Sequence, residues 1–226
     1  MDQVSRRGLA RGAAWTVPVV AVAAAAPVRA ASQLRCGVLD WDSFAAGVVP
    51  TAPLATTVPG VTATPVVSYS SGTAPGSNSG KVMAGPTGGV SGNYYRIGID
   101  NVKPNDIVTV TFTFSQPVTD LNFTMTDIDT HHVEGQNKGW QNMVYVSPAP
   151  TTSSPAGNIL GAGTATSPWH ANAPYDAADT DGSDNVSVVY AGPITTVSIT
   201  LTNGGSAWGH GNAAIGITDL SFCTTP

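Results

Sequence analysis

The strict alternation of residues 108–114 constrains the fold more than any other feature of this sequence. Apolar residues and threonines follow one another there in the order Val-Thr-Val-Thr-Phe-Thr-Phe. Because successive side chains of a strand point to opposite faces, this pattern predicts an antiparallel strand with one buried face. Comparable patterns predict further strands at 93–99, 121–125, 143–146, 186–190, 197–201 and 215–222, with additional candidates at 40–44 and 61–69. No stretch after residue 30 has a convincing helical period, so the sequence predicts an all-β domain.

An internal repeat supports this prediction. Residues 117–126 and 193–202 match position by position in character, and each segment follows a predicted strand. Since Ser115-Gln116-Pro117 is typical of a turn, each copy is expected to form a strand–turn–strand hairpin. Two such hairpins can face each other across the core of a sandwich. The preference of strands for threonine and β-branched residues accounts for the repeat equally well, and both interpretations stay open.

The first thirty residues form a segment of a different kind. Ser5-Arg6-Arg7-Gly8-Leu9 precedes an apolar stretch at 13–26, which Pro18 interrupts. That stretch is shorter than the roughly 20 residues of a membrane span. The arrangement resembles a twin-arginine export signal, which implies a cleaved peptide at 1–30, export of an already folded chain, and one mature domain at 31–226 in an extracellular setting. The alternative is an N-terminal anchor that is retained.

Charge narrows the range of partners. Residues 1–30 contain four arginines and one aspartate, so the mature part has 5 basic and 13 acidic residues and a net charge of −8. An acidic surface disfavours nucleic acid and anionic membranes as partners, because their phosphates repel it. Cations and neutral glycans remain compatible with this charge.

The two cysteines bracket almost the whole mature chain. Cys36 lies near its start and Cys223 near its end. In an oxidising compartment this pair predicts one disulfide that ties the first strand to the last. Closing a loop of this length would stabilise the fold by about 4–5 kcal/mol in the chain-entropy model. Two buried free thiols are the alternative.

One acidic loop has the composition of a calcium site. Asp179, Asp181 and Asp184 surround Gly182 within a few residues. Calcium takes six to eight oxygen ligands, and carboxylates around a glycine turn supply them compactly. The loop lacks the glutamate that ends an EF-hand, and a solvated loop with Asx-turns also accounts for its composition.

Two further positions extend the set of candidate metal ligands. Asp127 and Asp129 stay in phase with the inward-facing residues of the strand before them, where a carboxylate is costly unless it is paired or bound to a metal. A strand that has already ended before Asp127 is the alternative. Asp219 interrupts the alternation of the last predicted strand, which indicates a β-bulge where its carboxylate satisfies backbone donors.

Loop aromatics are the candidates for ligand binding. Sugar rings stack on exposed aromatic faces while nearby polar groups bind their hydroxyls. The aromatic residues with this composition around them are Trp140, Trp169, Tyr175 and Trp208. Each of them can instead cap an end of the core. His131, His132 and Glu134 lie close together, but their spacing does not fit a zinc site.

The strand sequences also carry a resemblance. The segment from Phe114 to Asp129 resembles an adhesin-like β-sandwich module of bacterial secreted and cell-surface proteins. The segment from Ala213 to Cys223 resembles the closing strand of jelly-roll carbohydrate-binding modules. In those modules an aspartate near that strand can ligate a structural calcium, and Asp219 is the matching position. The resemblance covers roughly residues 93–223 and implies an antiparallel, jelly-roll-like β-sandwich.

These features favour one functional hypothesis over two others. We expect a secreted or cell-surface module without catalytic activity, which binds a glycan or an envelope component and holds a structural calcium ion. The alternatives are a structural envelope protein without a small-molecule site and a secreted hydrolase that uses carboxylates. No nucleophile elbow, phosphate-binding loop or dinucleotide fingerprint occurs in the sequence. The chain has no sorting motif after Cys223, which favours a freely secreted protein.

Overall fold

The structure is a computed structural model, and it describes residues 33–133, 138–172, 178–204 and 211–225. The predicted export signal at 1–30 lies outside this part of the chain. Chain contacts separate Met1–Gln33 from the compact unit Leu34–Pro226, which contains all the strands described below. No helix among the described residues is long and apolar enough to cross a membrane.

The predicted all-β class is confirmed. The described residues form one 3₁₀ turn at Trp41–Ser43 and the strands β1 (Arg35–Leu39), β2 (Leu54–Ala55), β3 (Thr62–Tyr69), β4 (Lys81–Met83), β5 (Tyr94–Ile99), β6 (Ile107–Thr126), β7 (Thr130–Val133), β8 (Lys138–Ser147), β9 (Thr152–Pro155), β10 (Ile159–Leu160), β11 (His170–Ala171), β12 (Val186–Tyr190), β13 (Ile194–Asn203), β14 (Ala213–Ile217) and β15 (Leu220–Thr224). All their pairings are antiparallel.

The strands form two sheets that share β6. The first half of β6 pairs with β3 and β13, and β8 and β7 extend this sheet, which we call sheet II. The second half of β6 pairs with β12 on one side and with β14 and β15 on the other, and β5, β4, β9 and β1 complete sheet I. β10 and β11 pair with each other in a separate two-stranded sheet.

The core lies between the inward faces of the two sheets. Phe112 of sheet II packs its ring 5.7 Å from Tyr95 of sheet I, and Phe114 lies 5.3 Å from Phe222. Trp41 is completely buried and stacks on Tyr95 at 5.0 Å. The alternation of 108–114 is therefore confirmed as one face toward this core and one face of threonines away from it.

The predicted disulfide is present. Cys36 and Cys223 are directly opposite each other in the β1–β15 ladder and are covalently joined. The described residues contain no free cysteine. The first strand and the last strand are thus tied to one another, as the two cysteines predicted.

The predicted turn at residues 115–117 is wrong, and so is the pair of facing hairpins. β6 runs without reversal through Ser115-Gln116-Pro117. The register between β6 and β13 shifts at this point, with Ile194 opposite Val118 but Thr196 opposite Thr113. The extra residues bend β6, so that the chain crosses from sheet II to sheet I instead of turning back.

The two repeated segments, 117–126 and 193–202, lie in different sheets and meet only where Val118 is opposite Ile194. β12 and β13 follow β6 in the antiparallel direction, first in sheet I and then in sheet II. Each repeated segment therefore lies opposite the strand that precedes the other copy, and the longer units 107–126 and 186–203 are the ones that lie side by side.

Two other local predictions have different outcomes. The candidate strand at 40–44 is wrong, because the chain forms the 3₁₀ turn there, with the Asp40 side chain accepting a hydrogen bond from the Asp42 amide at 2.8 Å. The bulge near Asp219 is confirmed. Ile217 lies opposite Met125 and Ser221 lies opposite Asn122, so four steps along one strand match three along β6.

Candidate metal centre

Asp127 and Asp129 lie where β6 ends. The strand stops at Thr126, and Asp127 adopts a left-handed backbone conformation with φ 66°. This conformation is uncommon for residues with a side chain but is tolerated by aspartate. Ile128 is completely buried, and Asp129 keeps only 4% of its surface exposed. The strand has thus ended by Asp127, and a carboxylate is nevertheless buried two residues later.

Asp184 reaches the same rim from β12. The ladder between β12 and β6 pairs Val186 with Met125. If this register is continued by two further residue pairs, Asp184 lies opposite Asp127. Side chains at directly opposite positions of neighbouring strands are close enough to interact. Asp184 is completely buried. Ligand oxygens of Asp127, Asp129 and Asp184 lie within 4.8 Å of one another, and we call these residues the aspartate cluster.

Asn142 of β8 holds the backbone around the cluster. Its Nδ2 donates to the Asp127 carbonyl at 2.8 Å, to Asp129 Oδ1 at 3.0 Å and to the Ala214 carbonyl at 2.9 Å. Its backbone amide donates to the Asp129 carbonyl at 3.0 Å. The side chain is completely buried, and its Oδ1 has no hydrogen-bond partner within the described residues. A further oxygen therefore lies beside the carboxylates.

Trp140 connects the cluster to the surface. Its Nε1 donates to Asp129 Oδ1 at 3.3 Å, and its ring stacks on His131 with centroids 4.7 Å apart. The indole is half-buried and packs against the edge of the core. An aromatic ring of the predicted ligand-binding set thus contacts a carboxylate of the cluster.

The electrostatics of the cluster favour a cation. At an effective dielectric constant of about 20, two carboxylates at this separation repel each other by roughly 3–4 kcal/mol. Burial adds a further cost to each charge, because water is excluded. A bound cation offsets both terms. The three side chains offer only oxygen ligands, which suit hard cations such as calcium and magnesium better than zinc, whose protein sites usually include histidine or cysteine.

The structure brings together three of the six predicted metal ligands. Asp184 is the member of the acidic loop that joins the cluster. Asp179 is exposed, and its carbonyl accepts a hydrogen bond from the Gly89 amide at 2.9 Å. Asp181 Oδ1 accepts a hydrogen bond from the Ser183 amide at 2.9 Å, which is the Asx-turn that the sequence offered as the alternative.

Asp219 has a different environment. Its Oδ1 accepts a hydrogen bond from the Trp41 amide at 2.8 Å, and the neighbouring Thr218 carbonyl accepts one from Trp41 Nε1 at 3.0 Å. Burial raises the pKa of the Asp219 carboxyl, and the charges of Asp40 and Asp42 raise it further. As the bulge predicted, Asp219 satisfies a backbone donor, and it does not join the aspartate cluster.

The four aromatic residues that were predicted to bind a ligand have different environments. Trp169 is completely buried and its backbone pairs with Val144, so the expectation that it stacks on a ligand is wrong. The space for its ring exists because Gly163, which it contacts, has no side chain. Trp140 is half-buried at the rim. Tyr175 and Trp208 lie outside the described residues.

Comparison with known proteins adds no relative. No family model, curated protein or solved structure matches the chain. The candidate metal centre therefore rests on the geometry of the aspartate cluster alone.

Asn142 is the residue of this centre that sequence reasoning missed. It lies on the same face of β8 as the buried residues Val144 and Val146, but its residue type is not typical of a buried strand position. The strand predicted from the sequence began at residue 143, one residue after Asn142, so its inward position became visible only from the observed length of β8. The proximity of Asp184 and Asp127 could have been predicted from the sequence if the strands at 186–190 and 121–125 had been paired with each other in this register.

Proposed function

We propose that this protein is an exported binding module without catalytic activity, whose fold is stabilised by calcium at the aspartate cluster. The observation that carries the proposal is the convergence of three carboxylates at one rim, two of them buried. Such a group is costly to bury without a cation. Calcium suits it because bidentate carboxylates and nearby backbone or amide oxygens together provide its six to eight ligands.

A structural ion at this position has a clear mechanical role. The cluster joins the end of β6 to the start of β12, two segments of sheet I that are far apart in the sequence. An ion held by both would fasten the rim of the sandwich after export. The disulfide performs a comparable role at the Cys36–Cys223 ladder.

We propose an extracellular glycan or a cell-envelope component as the partner. The net charge of −8 after residue 30 disfavours anionic partners and is compatible with neutral glycans. Trp140 adds a half-buried aromatic ring close to the cluster. Aromatic faces beside hydroxyl-binding side chains are the usual elements of a sugar site.

Terbium luminescence tests the metal proposal directly. Because Trp140 Nε1 lies 3.3 Å from Asp129 Oδ1, a terbium ion in the cluster should show emission sensitised by this indole. Calcium should compete with that emission, and Trp140→Phe should reduce it while calcium still raises the melting temperature. Absence of both sensitised emission and calcium stabilisation in the wild type would refute the metal proposal.

Sedimentation with insoluble ligands tests the partner. The purified protein is incubated with insoluble polysaccharides and isolated cell walls, in calcium and in chelator. Retention in calcium that the chelator abolishes is the expected result. Failure to bind any of these materials in calcium would refute the binding function and leave a structural envelope role.

A further inference from the structure

A cleft of about 430 Å³ opens on the outward face of sheet I. Its floor consists of outward-facing side chains of three neighbouring strands, and its wall is the segment 87–94, which lies over the sheet. The floor side chains are Asn122 and Thr124 of β6, Ser187 and Val189 of β12, and Ser221 of β15. The volume is within the range of about 300–1,000 Å³ that is usual for small-molecule sites.

The floor chemistry matches hydroxyl groups. Thr124 Oγ1 and Ser187 Oγ are 2.8 Å apart, and either can donate to the other. Asn122 Nδ2 donates to the Asp120 carbonyl at 3.0 Å. Side chains that both donate and accept are suited to sugar hydroxyls, which also do both.

The charged residues at the cleft bear on the kind of ligand it can bind. Asp219 is the acidic residue in its lining, and Asp40 and Asp42 lie close enough to act on its titration. None of the described residues that line the cleft is basic, although Arg96 forms a side-chain hydrogen bond with Tyr94, which lines it. Asp219 and the net charge of −8 after residue 30 disfavour an anionic sugar or a phosphate, and a neutral ring avoids this repulsion.

An aromatic ring belongs to the lining of the cleft. Tyr94 lines it, and its ring lies against Gly216 of β14. A side chain at position 216 would meet Tyr94 Cδ2 at 2.9 Å and Thr126 Oγ1 at 2.5 Å, so the glycine allows the tyrosine to lie over the sheet. A half-buried aromatic ring in the lining of a cleft with several hydroxyl groups provides a surface on which a sugar ring can stack.

The wall of the cleft is hydrogen-bonded to the segments that carry the aspartate cluster. Thr87 Oγ1 and Thr126 Oγ1 are 2.8 Å apart, and Thr126 directly precedes Asp127. Asn185, which follows Asp184, donates from Nδ2 to the Gly88 carbonyl at 2.7 Å. The residue before Asp127 and the residue after Asp184 thus both form hydrogen bonds with the wall of the cleft.

Gly88 shows how closely the wall fits these segments. Its φ is 51°, and a side chain at this position would collide with Asn185 Oδ1 and approach Thr126. Glycine adopts this conformation without strain and leaves the space free. The position of the wall therefore depends on the positions of the cluster segments.

We propose that this cleft binds a segment of a neutral glycan, and that calcium at the aspartate cluster supports the binding by ordering the cleft wall. The inference rests on the proposed function, because it names the place where the glycan of that proposal binds. The two sites are then coupled through the wall, and linkage requires that the glycan also strengthens calcium binding by the same factor.

The test measures binding of soluble oligosaccharides by calorimetry. The probes are neutral hexasaccharides of glucose, xylose, mannose and N-acetylglucosamine, each titrated into the purified full chain in calcium and in chelator. Ser187→Tyr fills the cleft from an exposed strand position that accepts an aromatic residue. Ser68→Tyr is the matched control, since Ser68 is an exposed serine on β3 of sheet II. Asn185→Ala removes the contact to the wall and leaves the three carboxylates in place.

The expected results distinguish the cleft from any other binding surface of the protein. At least one hexasaccharide should bind in calcium, and Ser187→Tyr should weaken it by roughly tenfold or more, as the loss of a central contact region does. Ser68→Tyr should bind as the wild type does, and both variants should keep the calcium-induced rise in melting temperature. The chelator should weaken binding to the wild type, and Asn185→Ala should bind calcium but lose the calcium dependence of glycan binding.

Two outcomes would overturn the inference, and they differ from a failure of the proposed function. If Ser187→Tyr binds the glycan as tightly as the wild type does, the cleft is not the site, although glycan binding itself stands. Equal affinity in calcium and in chelator would overturn the coupling. If no hexasaccharide binds, the inference fails, and retention on insoluble polysaccharides or cell walls then decides whether the proposed function survives.

Discussion

Replacing Asp184 by asparagine should abolish the calcium-dependent stabilisation of this protein. Asp184 is completely buried, and its carboxylate meets those of Asp127 and Asp129 at the rim of the sandwich. Asparagine has nearly the same shape and keeps one oxygen, but it removes one negative charge and the second oxygen ligand. The fold should therefore persist while the affinity for the cation falls.

The magnitude follows from binding linkage and from the size of the domain. A ligand present at about 100 times its dissociation constant stabilises the folded state by about 2.7 kcal/mol. For a domain of 150–250 residues, each kcal/mol shifts the melting temperature by about 2–4 °C. The wild type should thus melt roughly 5–11 °C higher in calcium than in chelator, and Asp184→Asn should show almost no difference.

The behaviour without calcium is the sharper part of this prediction. With no cation bound, each pair of carboxylates in the cluster repels by roughly 3–4 kcal/mol at an effective dielectric constant of about 20. Removing one charge relieves two of these pairs. In chelator, Asp184→Asn should therefore melt at or above the temperature of the wild type, and the order should be reversed in calcium.

The assay is thermal unfolding followed by circular dichroism, in saturating calcium and in excess chelator. Asp179→Asn is the matched control, because the Asp179 side chain is exposed. The hydrogen bond between Asp179 and Gly89 uses the backbone carbonyl of Asp179, which the substitution leaves unchanged. It should retain the full response to calcium. The reasoning is refuted if the wild type does not respond to calcium, or if Asp179→Asn loses as much of the response as Asp184→Asn does.

Three other predictions concern stability. Changing Cys36 and Cys223 to serine should lower the free energy of unfolding by up to about 5 kcal/mol, because the bond closes a loop of 187 residues, and unchanged urea denaturation would contradict this. Asp219→Asn should keep the hydrogen bond from the Trp41 amide. Because burial raises the pKa of the Asp219 carboxyl, ionisation of this group disfavours the folded state. The asparagine variant should therefore be at least as stable as the wild type at neutral pH. Asp219→Ala leaves that amide without its acceptor and should cost about 1–3 kcal/mol, and equal urea midpoints for the two variants would argue against this role. Burial raises the pKa of Tyr95 to about 12, so the unfolded chain releases this proton first and the wild type should lose stability between about pH 10 and pH 12. Tyr95→Phe should lose less over that range, and identical alkaline melting profiles would show that Tyr95 does not contribute.

The amino-acid sequence by itself determined the secondary structure class and the covalent closure. The period of two is a local property, so residues 108–114 and 186–190 could be assigned to strands without knowledge of their neighbours. The position of the two cysteines, one shortly after the predicted export signal and one near residue 226, predicted the Cys36–Cys223 bond. The interrupted alternation near Asp219 predicted the bulge for the same local reason.

The tertiary structure alone decided how these strands are arranged and where the site lies. Ser115-Gln116-Pro117 has the composition of a turn, but pairing with β13 and β12 on successive halves keeps β6 continuous across both sheets. Strand pairing is a long-range property, and composition does not encode it. The aspartate cluster depends on the same pairing, because the register of β6 and β12 brings Asp184 to Asp127 and separates it from its sequence neighbours Asp179 and Asp181. From the sequence, aspartates close together along the chain were predicted to share one site. In the folded protein the site consists of the aspartates that the register of β6 and β12 places at the same rim.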